Sequence, residues 1–190
     1  MGIIFPLFGI FTSFILIYYL SSLNRSNAFL ALFFLCCNVV VLIYYGLHYT
    51  EDRFWEGICF VHFLPLSFLL GPTLFFYVKH TVSEDKRLHG YDIVHLIPAV
   101  FTFLATLPFT TLPLATKTAM AHEIVNFTED YNLNFQWVTF EQILYGRSIH
   151  LILYCIASVI YFLWNKKHLY KKYGTLPSNH RLIQKWKPHI

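Results

Sequence analysis

Five long apolar runs occupy most of this chain of 190 residues. They cover residues 3–20, 28–47, 58–78, 93–114 and 148–164, and none of them contains Asp, Glu, Lys or Arg. An α-helix needs roughly 20 apolar residues to cross the hydrocarbon core of a bilayer. A soluble protein would need amphipathic helices and enough polar residues to form a surface exposed to water. Five uncharged runs leave too few residues for such a surface. The sequence therefore predicts an all-α, polytopic transmembrane helix bundle of about five spans.

The distribution of Lys and Arg predicts the orientation of this bundle, because basic residues near membrane ends stay on the cytoplasmic side. Five spans with an outer N-terminus place eleven of the 14 Lys and Arg residues in the cytoplasm and leave Arg53, Lys117 and Arg147 outside. We therefore expect the N-terminus outside and the C-terminus in the cytoplasm. The first run lacks a basic segment before it and a small-residue cleavage site, so we expect a retained helix rather than a signal peptide.

A helix bundle over residues 1–164 is followed by a basic segment over residues 165–190. No helix breaker occurs before Gly174, so the fifth helix is expected to continue about two turns beyond the membrane. Four lysines on this extension are expected to anchor it to anionic lipid headgroups, namely Lys166, Lys167, Lys171 and Lys172. The extension can serve as a rigid element that carries motion out of the membrane. A stop-transfer anchor explains the same charges equally well.

Ionisable residues within or beside the runs are candidates for a ligand site, because such groups usually face the interior of a bundle. We expect His62, Arg147 and His150 to form a shallow outer pocket for an anionic or polar small ligand. Arg147 and His150 are three residues apart and would share a helix face. His95 enters the fourth run from the opposite side of the membrane, so we expect it to lie apart from the other two histidines.

The third run contains two positions that favour a bend. Proline removes a backbone hydrogen bond, and glycine beside it permits close approach of a neighbouring helix. Pro65 and the pair Gly71-Pro72 therefore predict two kinks, which are suited to a hinge or relay. A pair of static kinks is the alternative interpretation.

Catalytic and cofactor chemistry have little support in the sequence. It contains no Gly-x-Ser-x-Gly, no His-Glu-x-x-His, no glycine-rich phosphate loop and no paired acids within the runs. A haem or metal site would need two or more ligands at matched depth, and a transporter would be expected to show an inverted repeat. We therefore expect no enzyme activity, no metal and no cofactor, which leaves reception, scaffolding or anchoring.

The order of motifs adds a family resemblance. Residues 70–79 read Leu-Gly-Pro-Thr-Leu-Phe-Phe-Tyr-Val-Lys, and after a short polar loop residues 95–98 read His-Leu-Ile-Pro. The fifth run closes in Tyr-Phe-Leu-Trp over residues 161–164, followed by the basic stretch and a downstream Trp186. This order resembles the membrane domain of membrane-anchored AraC-type transcriptional regulators of Bacteroidetes.

The resemblance implies a sensory and anchoring module in the bacterial cytoplasmic (inner) membrane, with a homodimer among its expected assemblies. In that family a C-terminal domain with two helix-turn-helix units binds DNA. Residues 181–190 are too few to form such a domain, so DNA is an expected partner only through a domain absent from these residues. The bilayer, anionic lipid headgroups and an unknown small ligand are the other expected partners. The alternative is a small integral membrane scaffold or accessory subunit, and a membrane enzyme or transporter is a third class.

Overall fold

The computed structural model describes residues 2–20, 25–49, 53–83, 88–125, 133–135 and 137–173, and for 166–173 it describes the backbone only. This part of the chain is helical apart from turns and an isolated antiparallel bridge between Asn134 and Thr139. The helices are α1 (Ile4–Leu20), α2 (Arg25–His48), α3 (Arg53–His62), α4 (Leu64–Ser67), α5 (Leu70–Val82), α6 (Ile97–Thr110), α7 (Leu114–Val125) and α8 (Phe140–Tyr173). A 3-10 helix over Gly90–Leu96 leads into α6.

Three helical stretches of the described chain are long and apolar enough to cross a membrane, namely Ser26–His48, Gly90–Thr110 and Phe140–Asn165. The pair Arg53–His62 and Leu64–Val82 adds a fourth if it is one bent span. Helix α1 is apolar but shorter. The all-α prediction is therefore confirmed, and the structure supports three to four candidate spans where the sequence predicts about five.

Neighbouring helices of the bundle pack in the order α1, α2, α5 and α8, while α6 packs on α3 and α4, and α7 packs on α3. Close approach of α1 to α2 depends on Gly9. A Cβ added to Gly9 would lie 2.1 Å from the side-chain oxygen of Asn38, so a larger residue would push the two helices apart. Asn38 satisfies its own amide within α2, where Nδ2 donates to the Phe34 carbonyl at 2.7 Å.

The two ends of the bundle are built differently. At one end, which we call the α7 end, α7 and the segment 133–140 cover the adjoining ends of α3, α6 and α8. A cluster of buried apolar side chains holds these elements together and contains Phe60, Val61, Leu64, Phe68, Ala99, Phe109, Ala121, Leu133, Phe135 and Ile143. Because burial of one large apolar side chain stabilises by about 1.5–3 kcal/mol, this end has a protein core of its own. The opposite end, which we call the Lys79 end, contains the end of α5 and the 3-10 helix.

Two breaks divide the third apolar run into α3, α4 and α5, and α3 is bent by 50° relative to Leu64–Val82. The first break lies at Phe63, two residues before Pro65, and the second lies at residues 68–69, before Gly71 and Pro72. A proline ring clashes with the carbonyl four residues earlier, so each interruption falls just before a proline. The kink predicted at Pro65 is present as this bend, and the helix is interrupted before Gly71-Pro72, where the second kink is predicted.

A side-chain hydroxyl compensates a carbonyl at the first break. The Ser67 hydroxyl donates to the Leu64 carbonyl at 2.6 Å. At the second break the Leu69 carbonyl accepts both from the Thr73 amide at 3.0 Å and from the Thr73 hydroxyl at 2.8 Å. Within a membrane such compensation is needed, because an unsatisfied backbone group in hydrocarbon costs several kcal/mol. Side-chain hydrogen bonds therefore stabilise the interrupted helix in this conformation.

The fifth run is longer in the structure than the sequence predicts. Helix α8 begins at Phe140, eight residues before the predicted start at residue 148, and its first turns pack in the core of the α7 end. The Thr139 side chain accepts from the Gln142 amide at 3.2 Å, and Gln142 Oε1 accepts from the Thr139 amide at 3.0 Å. This reciprocal capping box fixes the helix start.

At its other end α8 is continuous to Tyr173, where the sequence predicts it to end. The side chains of the predicted basic anchor, Lys166, Lys167, Lys171 and Lys172, lie outside the described part of the structure, as do the linker over 174–190 and the polar segment 126–132. The fourth run also differs from its predicted bounds of 93–114. It starts in the 3-10 helix at Gly90 and ends at Thr110, because Pro113 cannot continue the helix.

Candidate ligand cavity and polar cluster

A cavity of about 340 Å³ lies near the α7 end, between α2, α3, α4, α7 and α8. This volume is at the lower end of the range of ligand pockets, roughly 300–1,000 Å³. The apolar part of the wall includes Val40, Ile43, Phe60, Leu64, Ile124 and Leu144. The polar part is formed by Tyr44, His48, Ser67 and Arg147, with Cys59 beside them. No acidic residue lines the cavity in the part of the chain that the structure describes.

Arg147 is the member of the predicted ligand site that lines this cavity. It lies two turns into α8 and is half-buried. Among the described residues, no carboxylate or carbonyl lies within ion-pair or hydrogen-bond distance of its guanidinium. The donors of the guanidinium are therefore free to bind an anion. The wall of the cavity therefore combines an apolar surface with one unsatisfied cationic group.

The structure places His62 and His150 away from this wall. His62 is the last residue of α3, and its Nε2 lies 3.4 Å from Lys117 Nζ. Its ring also packs edge-on against Phe109 at a centroid distance of 6.3 Å. The three residues predicted to form one outer pocket therefore have separate surroundings, and only Arg147 faces the cavity.

His150 instead belongs to a polar cluster with Tyr154 and His95. The Tyr154 hydroxyl and His95 Nδ1 are hydrogen-bonded at 2.5 Å, and the ring centroids of His150 and Tyr154 are 4.7 Å apart. The expectation that His95 lies apart from His150 is therefore wrong. Because α8 begins at Phe140, His150 lies ten residues into the helix rather than two, within reach of the residue that binds His95.

The environment of His150 is otherwise apolar. Its ring packs on Phe68 at a centroid distance of 5.4 Å. Both of its ring nitrogens are buried and have no hydrogen-bond partner among the residues that the structure describes. Helix α8 thus carries two polar groups, Arg147 and His150, whose hydrogen-bonding capacity the described residues leave unused.

Gly71 allows this cluster to pack directly on the break before α5. A Cβ added to Gly71 would lie 2.8 Å from Tyr154 Cδ2 and 2.9 Å from Tyr154 Cβ and Cγ. The Tyr154 ring also meets Phe75 edge-on at a centroid distance of 6.0 Å. Helices α5 and α8 are therefore in direct contact beside the interruption, and Tyr154 connects this contact to His95 of the 3-10 helix.

A buried ion pair at the Lys79 end was not predicted from the sequence. Asp92 is 5% exposed and accepts from Lys79 Nζ at 2.7 Å and from the His89 amide at 2.9 Å. Lys79 also lies 5.3 Å from the centre of the Tyr91 ring. The pair joins the end of α5 to the 3-10 helix that carries His95. An acidic residue three positions after a helix start is a capping signal that could have identified Asp92.

A hydrogen bond between side chains secures α7 at the opposite end. The buried Glu56 carboxylate on α3 accepts from His122 Nδ1 on α7 at 3.0 Å. Gly57 lies next to it, and a Cβ there would be 2.6 Å from Thr118 Cγ2 and 3.2 Å from the Thr118 amide nitrogen. The cover over the α7 end is therefore fixed by this hydrogen bond and by close backbone packing.

No group of three or more His, Cys, Asp or Glu side chains in the described residues is arranged to hold a metal ion. The fold and the site thus define a class: an all-helical protein with helices long and apolar enough for a membrane, an internal apolar cavity with one cationic group, and a histidine–tyrosine cluster beside a broken helix. Comparison with protein-family models, curated proteins and solved structures finds no match to this chain.

Proposed function

We propose that this chain is the membrane-embedded sensory and anchoring module of an AraC-type transcriptional regulator. In this proposal it lies in the bacterial cytoplasmic membrane and relays a signal to a cytoplasmic DNA-binding domain outside these 190 residues. The observation that carries the proposal is the ligand-sized cavity with its unsatisfied Arg147, set against the broken helix α3–α5. The motif order that resembles this class of regulator supports it.

The proposed topology has five spans, with α1 as the first. Its 17 residues fall at the short end of the range for spanning helices, about 17–25 residues. With the N-terminus outside, five spans put the α7 end with its cavity outside and the Lys79 end inside. The bias of basic residues toward the first, third and final connections supports this orientation.

The proposed relay follows contacts that join the two ends. From the cavity, Arg147 is one turn from His150 on α8, which packs on Tyr154. Tyr154 contacts the break beside Gly71 and binds His95, which follows Asp92 on the same 3-10 helix. A ligand that shifts α8 relative to α5 would thus alter the cytoplasmic end. The projecting end of α8, anchored by its lysines to anionic headgroups, would pass this shift to a partner domain or change the geometry of a homodimer.

The direct test is to tag the native gene near its start codon and to carry out chromatin immunoprecipitation from the source cells. We expect a tagged product in the membrane fraction that is larger than these 190 residues and enriches discrete promoters. A membrane-bound product that enriches no DNA would contradict the proposal and favour a scaffold or accessory subunit.

The relay has its own test in the same strain. The double substitution Gly71→Ala with Pro72→Leu should change transcription from the enriched promoters at equal protein level. The matched control is Gly90→Ala, because a Cβ at Gly90 meets no atom within 4 Å. Unchanged transcription in the double variant would refute the relay while leaving DNA binding intact.

Fusion reporters test the topology independently of function. Green fluorescent protein fused after residue 190 should fluoresce, and alkaline phosphatase fused after residue 125 should be active. The opposite pattern would refute the proposed orientation.

A further inference from the structure

The cavity at the α7 end has the chemistry of an amphiphile site. Most of its wall is apolar, which suits a hydrocarbon chain, and its volume of about 340 Å³ is that of a small ligand pocket. Its charge is one-sided, because Arg147 lines it and the described lining residues include no carboxylate. A neutral apolar ligand would leave the guanidinium without a partner, whereas an acid headgroup would pair with it.

The position of the cavity favours entry from the side of the bundle. Tyr44 on α2 lines the cavity and is 54% exposed, so the wall reaches the outer surface of the helices there. Its ring packs on His48 at a centroid distance of 4.5 Å, which places a polar rim at the same opening. In the proposed topology this opening lies in the last turn of α2, at the level where the bilayer meets water. An amphiphile of the outer leaflet has its headgroup at that level and its chain in the bilayer, which matches the polar rim and the apolar wall.

We infer that the cavity binds a single-chain amphiphilic anion, with its acid group on Arg147 and its hydrocarbon chain against Ile43, Phe60 and Leu64. The guanidinium can donate two parallel hydrogen bonds to a carboxylate, which fixes the headgroup and accounts for an arginine at this depth. The inference rests on the proposed sensory function, because it names the ligand class of the same cavity. Binding is measured on the purified chain, so its failure is distinguishable from failure of DNA association.

The test uses the full chain in nanodiscs of zwitterionic lipid, with tritiated palmitate as the probe and a pH at which the carboxylate is ionised. We expect saturable binding of one palmitate per chain. Unlabelled hexadecanol, which has the chain without the charge, and acetate, which has the charge without the chain, should each compete at least about tenfold more weakly. Equal competition by hexadecanol, or absence of saturable binding, overturns the inference.

Two variants assign the site. Arg147→Gln should weaken palmitate binding about tenfold or more and leave hexadecanol competition within about twofold. Arg53→Gln is the matched control, because Arg53 is exposed on α3 at the same end and does not line the cavity. Ile43→Trp fills the cavity from α2 and should weaken both ligands while retaining the charge.

Folding of each variant is checked by size-exclusion chromatography in detergent. If Arg147→Gln is not monodisperse, Arg147→Lys replaces it, because lysine keeps the charge but loses the paired donors and should bind palmitate more weakly than arginine. Palmitate affinity unchanged in a folded Arg147 variant would show that the guanidinium does not hold the headgroup.

Discussion

Substitution of Gly71 by alanine should separate α5 from α8, and the structure gives the size of the effect. The new Cβ would lie 2.8–2.9 Å from three atoms of Tyr154, and one of them is Cβ, which cannot move without the backbone of α8. Overpacking of this kind costs about 1–3 kcal/mol. Alanine recovers up to about 1 kcal/mol of helix propensity relative to glycine. The net loss of unfolding free energy should therefore be about 1–2 kcal/mol.

A double-mutant cycle with Tyr154→Ala isolates the contact. The second substitution removes Cγ and Cδ2 of Tyr154 and leaves only Cβ near the new methyl group, so two of the three close contacts disappear and part of the clash is relieved. We expect the Gly71→Ala cost to fall by about 1 kcal/mol in the Tyr154→Ala background. The assay is equilibrium unfolding of the purified chain in mixed micelles with increasing SDS, followed by the near-ultraviolet signal of its aromatic residues.

The control for this cycle is Gly90→Ala, which should change the unfolding free energy by less than about 0.5 kcal/mol because no atom lies within 4 Å of the added Cβ. Additivity of the Gly71 and Tyr154 substitutions within about 0.3 kcal/mol would refute the reasoning. In that case Tyr154 and Gly71 would not be in contact in the folded protein.

Three further predictions concern the elements that hold the ends of the bundle. Asp92→Asn should destabilise the chain by about 3–5 kcal/mol, because Lys79 would remain buried without its counter-charge, and Lys79→Met combined with Asp92→Leu should restore much of this loss in the same SDS assay. Equal stability of the single and double variants would contradict that account. Gly57→Val should push Thr118 away and raise the hydrogen-exchange rate of α7 amides, whereas unchanged exchange would show that α7 does not pack there. Thr139→Ala should cost about 1 kcal/mol and speed exchange in the first turn of α8 only, and faster exchange throughout α8 would argue against a local cap.

The apolar runs predict the helices well, because spans without charged residues can only be helical in a bilayer. The breaks in the third run follow equally directly from Pro65 and Pro72. The region 114–147 is different, since its apolar residues are interrupted by polar ones. There, the apolar face of α7 packs on α3 in the protein core, so hydropathy alone does not detect the helix.

Site residues were harder to predict because their partners depend on the register between helices. The bound of 148 for the fifth run came from Arg147, which is charged and therefore marks the end of an apolar stretch. The capping pair Thr139 and Gln142 contains the better signal for the start of α8. With that start, His150 moves inward by two turns. Its contact with Tyr154 follows from their i, i+4 spacing on α8, but the hydrogen bond from Tyr154 to His95 requires the packing of α8 against the 3-10 helix, which no local pattern specifies.

Helix α8 is long enough for a small tilt to produce a larger displacement at its end. Its 34 residues correspond to a rod of about 51 Å at 1.5 Å per residue. Tyr154, which contacts Gly71, lies 19 residues before Tyr173, so the part of α8 beyond this contact is about 28 Å long. A tilt of α8 by about 5° about this contact would displace Tyr173 by about 2.5 Å, given the same rise per residue. The distance along α8 from Arg147 to Tyr154 is only about 10 Å. If α8 tilts as a rigid rod about Tyr154, a displacement of Arg147 would therefore be about three times larger at Tyr173.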